Sequence, residues 1–149
     1  MTITGLSEKT GKHIILSPGY KPTESEVYMC QEHLEYFRQK LLGWKNELLR
    51  DSVETIQHLQ EETHPEPDVA DRASAETDRA IELRTRDRER KLINKIDEAL
   101  MRIDDGSYGF CEETGDPIGL QRLEARPIAT LSLEAQERHE REEKVYRDD

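Results

Sequence analysis

The chain has 149 residues, 37% charged and 34% hydrophobic, with a net charge of -11. So little apolar material excludes one large globular core but suffices for a narrow seam between helices, and the acidic balance argues against direct, sequence-specific DNA binding, which needs a basic surface. No apolar run approaches the ~18 residues of a membrane span, no basic-then-apolar leader is visible, and two distant cysteines, Cys30 and Cys111, make no disulfide framework, so a reducing, cytoplasmic location is expected.

Residues 1–29 mix Gly, Ser, Thr and Pro without a period and read as a partly flexible N-terminal arm. Within it, Ile14, Ile15 and Leu16 form an apolar patch suited to a small strand or a docking segment. Thr23 and Glu26 have the spacing of a capping box, which predicts an early helix start near Pro22. From Glu32 the pattern is helical: Leu34, Phe37, Leu41, Trp44 and Leu48 alternate at three and four residues, then the stripe slips to Leu49, Ile56 and Leu59. Pro65 and Pro67 end this helix, since proline lacks the amide hydrogen and restricts its predecessor. At ~1.5 Å per residue it would be about 50 Å long.

A second helix starts within a few residues, with Asp68 and Asp71 as candidate N-caps, and runs to Asp105, where Gly106 is a natural stop. Ile93, Ile96, Leu100 and Ile103 supply its seam near the base, with Ala80 and Leu83 nearer the tip. Two long helices joined by so short a link must fold back antiparallel. The segment Arg84–Lys91 has no apolar residue and sets five basic side chains against two acidic ones. Eight residues cover every helical face, so this girdle is either solvated coiled-coil surface or a contact surface.

After Gly106 the pattern changes. Tyr108, Phe110, Ile118, Leu120 and Leu123 alternate between turn signals at Gly109, Gly115-Asp116-Pro117 and Gly119, which predicts a small compact knob over 106–131. Residues 132–149 read as a final, very polar helix. The architecture expected is therefore mostly α: a long antiparallel hairpin over 30–105 with its tip near 65–73, a knob and a C-terminal helix.

Several blocks resemble the DksA/TraR-type regulators, also called DnaK suppressor proteins. They are Glu82-Leu83-Arg84, Asp87-Arg88-Glu89-Arg90-Lys91-Leu92-Ile93, Tyr108-Gly109-Phe110-Cys111, Pro117-Ile118-Gly119 and Arg122-Leu123-Glu124-Ala125-Arg126-Pro127. The likeness runs over about residues 26–140. It implies a non-catalytic transcription regulator that binds RNA polymerase at the secondary channel of its largest subunit and inserts the hairpin toward the active centre. It further implies altered open-complex lifetime, with repression of ribosomal RNA promoters and activation of others. Guanosine tetraphosphate would be the co-regulator at the polymerase interface in the stringent response.

On the same resemblance, the family's Asp-x-x-Asp-x-Ala tip appears as Asp68, Asp71 and Ala73. Arg88 and Lys91 would contact polymerase, and Leu92, Lys95 and Arg126 would face the alarmone. Residues 51–78 carry nine acidic side chains against one basic, which suits a channel lined with basic groups and metal. Where better-known members have a lysine after the last zinc cysteine, this chain has Gln136. A monomer is expected. Alternatives kept open are a transcript-cleavage factor delivering metal through Asp68 and Asp71, a redox-sensing variant of the same fold, and a coiled-coil adaptor.

The family's zinc form places four thiolates in the knob, whereas the corresponding positions here are Cys111, Thr114, Ser132 and Ala135. One thiolate of four does not make a closed tetrahedral site, and no zinc is expected. Ser132 can instead cap the last helix, and Thr114 can bond locally in its turn. Cys111 is expected to pack rather than react. The knob would rest on Tyr108, Phe110, Ile118, Leu120, Leu123, Ile128 and Leu131. Cys30 and His33 have a ligand spacing but stand in a poor capping context, so they are not expected to bind zinc. His13, His58, His64 and His139 read as isolated surface residues.

Overall fold

A computed structural model of the protein describes residues 13–61 and 69–148. Its helices are α1 (Gln31–Glu61), α2 (Val69–Asp105), α3 (Leu120–Ala125) and α4 (Leu133–Asp148), and no strand occurs among the described residues. None of these helices is long and apolar enough to cross a membrane. The chain divides into two compact units. One is Leu42–Asp97; the other takes the chain up to Leu41 together with Glu98 onward.

Leu42–Asp97 is an antiparallel helical pair. Lys45 Nζ meets Asp97 Oδ1 at 2.6 Å near one end, and His58 Nδ1 meets Glu82 Oε1 at 2.9 Å farther along. Leu48 and Ile96 are buried, and Trp44, Ile56 and Ile93 are half-buried. The expected seam fails toward the tip. Leu83 and Leu49 are each 43% exposed, and Ala80 is exposed as well. The less exposed face of α2 instead follows Ala75, Arg79, Glu82, Arg86, Glu89, Ile93, Ile96, Leu100 and Ile103, an unbroken alternation of four and three. On α1 the corresponding stripe passes through Ser52 and Thr55 beside Ile56. Helical geometry fixes which positions face inward, and in the outer half those positions hold polar residues. Leu59 and Asp68 lie outside the described side chains. Asp71 is not an N-cap: it is the third residue of α2, exposed in the first turn, where a carboxylate still complements the helix dipole.

In the other unit, α2 ends at Gly106, whose φ of 85° lets Ser107 N–H reach the Arg102 carbonyl at 3.0 Å. This is the six-to-one bond of a Schellman stop, and Asp105 Oδ1 accepts from the Ser107 amide and hydroxyl as well. The knob then folds as a short hairpin, with an isolated antiparallel bridge between Phe110 and Pro117. Ile118 N–H donates to the Gly109 carbonyl, and Cys111 N–H to Asp116, each at 2.8 Å. Tyr108, Ile118, Leu123 and Ile128 are buried as expected, together with Cys111, Ala129 and Ala135. Phe110 is on the exposed side, where its ring meets that of Tyr28 (5.5 Å, T-shaped), and Leu120 and Leu131 are half-buried.

The arm is tied to this knob. Thr23 and Glu26 do form their box, Glu26 Oε1 accepting from the Thr23 amide and hydroxyl at 2.9 Å, but it closes a single turn and not an early helix. Met29, at φ 57°, turns the backbone out of any helix before α1 begins. Ile14–Leu16 form no strand; Ile15 is exposed and its neighbours half-buried. Tyr28 Oη donates to the Gly109 carbonyl at 2.7 Å and accepts from the Gly119 amide at 2.9 Å. Met29 packs over Gly109, where a Cβ would sit 2.7 Å from Met29 Sδ. A ring chain follows: Tyr36–Phe37 at 5.2 Å and Phe37–Tyr108 at 5.7 Å.

Tyr28→Phe removes both hydroxyl bonds, leaving the part-buried Gly119 amide without its partner and the Gly109 carbonyl with only its Ile118 bond. It should lower unfolding free energy by about 2 kcal/mol in chemical denaturation followed by circular dichroism. Glu89→Leu has the opposite expected sign. One Glu89 carboxylate oxygen is buried without a partner, so an apolar residue at this seam position should raise the unfolding free energy by about 1 kcal/mol.

Candidate functional site

The residues expected to act on a partner lie on three surfaces. On α2's outer part, Asp71 and Ala73 are exposed at the start of the helix, and Asp68 falls outside the described residues. In the girdle, Arg86 and Glu89 are half-buried and take the seam, while Arg84, Thr85, Asp87, Arg88, Arg90 and Lys91 face outward. The girdle is thus divided between the two roles that its composition left open. Arg90 is drawn to Asp87 at 3.1 Å, whereas Arg88 and Lys91 make no ion pair among the described residues. Lys95 is likewise exposed, with Leu92 half-buried beside it in sequence.

Arg126 belongs to the other unit and is exposed. Its motif is almost wholly committed to structure. Arg122 Nε donates to the Leu131 carbonyl at 3.0 Å, Leu123 is fully buried, and the Pro127 carbonyl accepts from Tyr108 Oη at 2.7 Å. Glu124 Oε1 takes both Tyr36 Oη (2.8 Å) and Lys40 Nζ (2.7 Å), clamping α3 to α1. Arg126 is the exception, since its guanidinium has no ion-pair or hydrogen-bond partner among the described residues. Gln136 spends its amide on Glu140 within α4, at 3.1 Å.

Three of the four knob positions, Cys111, Thr114 and Ser132, come together at one sulfur. Burial alone would raise the Cys111 thiol, but the Thr114 hydroxyl and the backbone amides of Ser132, Thr114 and Glu113 overcome it and bring it down to about 6. The other positions do not fit a zinc ligand set. Ala135 is fully buried and has no donor atom. Ser132 Oγ accepts from the Ala135 amide as the α4 cap (3.3 Å), and Thr114 Oγ1 accepts from the Asp116 amide (3.2 Å). Polar hydrogens therefore surround the thiolate where a metal ion would otherwise neutralise it.

The histidines are not isolated. His13 lies 3.9 Å from Glu35, His58 pairs with Glu82, and His139 contacts Glu113, which raises the affinity of that imidazole for its proton. His64 lies outside the described residues. Sequence reasoning also passed over Glu35, buried beneath a two-pronged Arg38 contact at 2.7 and 2.6 Å. The i,i+3 spacing was the available signal for it. His33 is fully buried, near Glu26 and Cys30.

Comparison with known proteins matches residues 33–103 to the family described as "DnaK suppressor protein DksA, N-terminal domain", and residues 106–141 to "Prokaryotic dksA/traR C4-type zinc finger". The RNA polymerase-binding transcription factor DksA of Caulobacter vibrioides (strain NA1000 / CB15N) is 64% identical over 141 residues, covering 95% of this chain and 99% of that protein. The protein of the same name from Escherichia coli (strain K12) is 43% identical over 135 residues, covering 87% and 89%. Among solved structures, transcription factor DksA2 from Pseudomonas aeruginosa is similar at a TM-score of 0.75 and 44% identity, covering 83% of this chain and 94% of that one.

The Cys111 thiolate has a stability signature. Its folded value lies near 6 against an ordinary 9, so its contribution is fully present above the unfolded value and is lost as pH falls through 6. The difference in melting temperature between the parent and Cys111→Ala should widen as pH rises from about 6 to about 9. A constant difference over that range would mean a neutral thiol.

Proposed function

This chain belongs to the DksA/TraR family, and on that premise we propose that it is a cytoplasmic, monomeric transcription factor that binds RNA polymerase and regulates initiation without catalysing a reaction. The hairpin enters the secondary channel of the largest subunit and presents Asp68, Asp71 and Ala73 toward the active centre. Open-complex lifetime is what it changes, repressing ribosomal RNA promoters and activating others.

The observation that supports this reading best is the contrast between committed and uncommitted charges. Arg122, Glu124, Lys40 and Lys45 are held in ion pairs or hydrogen bonds, while Arg88, Lys91, Lys95 and Arg126 are exposed and have none among the described residues. Cations left free on an acidic protein suit an acidic or phosphate-rich partner. In this reading Arg88 and Lys91 bind polymerase, and Leu92, Lys95 and Arg126 bind guanosine tetraphosphate at its surface. Gln136, already bonded to Glu140, adds no cationic contact, which weakens the alarmone response. Zinc plays no part in the knob, and burial keeps oxidants from Cys111 although its thiol is brought down to about 6.

Open-complex lifetime on a ribosomal RNA promoter, with and without guanosine tetraphosphate, tests the proposal. The parent should shorten the lifetime, and Asp71→Asn should lose most of that effect while still binding polymerase. Lys95→Ala should reduce the alarmone increment alone. Release of short 3′ RNA fragments from stalled complexes would instead identify a cleavage factor.

A further inference from the structure

A second cluster of metal-ligating side chains stands in the same unit as the knob, where the arm enters α1. Glu26, Cys30 and His33 each bring one donor atom to within 4.8 Å of the other two. Cys30 precedes α1 and His33 lies in its first turn, so the helix sets their spacing, while the Thr23–Glu26 turn swings the carboxylate over them. His33 is fully buried, and its Nε2 has no hydrogen-bond partner; Glu26 Oε1 is 3.5 Å away. Nδ1 accepts the Met29 amide at 3.2 Å, so the neutral ring keeps its proton on Nε2, an orphan donor aimed into the cluster.

We infer that Glu26, Cys30 and His33 form a binding site for a divalent, thiol-tolerant cation, zinc by preference, separate from the four knob positions. Sulfur, imidazole nitrogen and carboxylate oxygen are zinc's ligand types, and three protein ligands leave the fourth tetrahedral position to water. Glu26 is ready for the role. Tyr20 Oη holds its Oε2 at 2.8 Å and Thr23 holds Oε1 through two bonds, leaving part of a carboxylate's roughly four lone-pair sites free. On binding, the Cys30 thiol proton goes to solvent and the His33 ring proton moves from Nε2 to Nδ1. The Met29 bond is given up, and Met29 is only half-buried, so its amide can turn to water.

The consequence is local. The ion would join the arm's turn to the first turn of α1, on either side of Tyr28 and Met29, which dock on the knob. Metal would thus reinforce the arm–knob junction without entering the knob.

The test uses the full chain, stripped with a chelator and titrated with Co²⁺ alone, then Zn²⁺ alone. The expected result is one Co²⁺ per chain with a thiolate-to-metal charge-transfer band, displaced by Zn²⁺, and a higher melting temperature with Zn²⁺. Cys30→Ser should abolish the band, Glu26→Gln should weaken binding on the order of tenfold or more, and Cys111→Ser should leave both unchanged. His33→Gln should also lose the band; should it fail to fold, the half-buried Cys30 and the surface-side Glu26 still decide. Absence of a band in the parent, or its loss in Cys111→Ser and retention in Cys30→Ser, would overturn the proposal.

Discussion

A single phenolic hydroxyl closes the knob. Tyr28 spans the Gly109 carbonyl and the Gly119 amide, one at each end of the hairpin that carries Cys111. In a four-thiolate knob the metal would supply that closure directly, by binding sulfurs on both sides of the fold. Here the arm supplies it from outside, with Met29 packed over Gly109 and Phe110 turned to meet the Tyr28 ring. The buried Cys111 thiolate is tolerable for a related reason. A hydroxyl and three amides point at its sulfur, so the charge is solvated by the protein itself. The knob is thereby held in two ways: by packing from the arm and by dipoles within the turn.

The hairpin follows a different logic. Its inward positions continue without interruption along α2, but their chemistry changes from Ile96 and Ile93 to Glu89, Arg86, Glu82 and Arg79. Apolar seams stabilise in proportion to the area they bury, whereas desolvated charges roughly offset their own attraction. The inner part of the pair is therefore held by burial and the outer part mainly by polar contacts such as His58–Glu82.

Much of this was legible in the residues. The helices, the turn at Gly106, the Ser132 cap and the Thr114 turn bond all follow from local chemistry that acts over about one helical turn. Toward the tip, reading the seam from hydrophobicity alone failed at Ala80 and Leu83. The three-four alternation set by Ile93, Ile96, Leu100 and Ile103, carried backward, reaches Glu89, Arg86, Glu82 and Arg79 instead. The capping box at Thr23 was real, yet no helix followed, because a positive φ at Met29 is dictated by docking and leaves no mark in composition. Tyr28 itself was not foreseeable, since its partners lie 81 and 91 residues away. The Glu26–Cys30–His33 cluster was half visible as Cys-x-x-His. The missing carboxylate arrives through the turn that the expected helix would have straightened.

The Tyr28–Met29 dipeptide belongs to two structures at once. Its backbone leads directly into the first turn of α1, where Leu34 N–H reaches the Cys30 carbonyl, and its side chains complete the knob. Residues 13–30 are consequently no appendage. Deleting them would uncover the Gly109–Gly119 edge and release the lead-in to the longer-range helix in one stroke. A fragment that keeps the knob's closure must therefore begin upstream of Tyr28, inside a stretch that composition alone would mark as expendable.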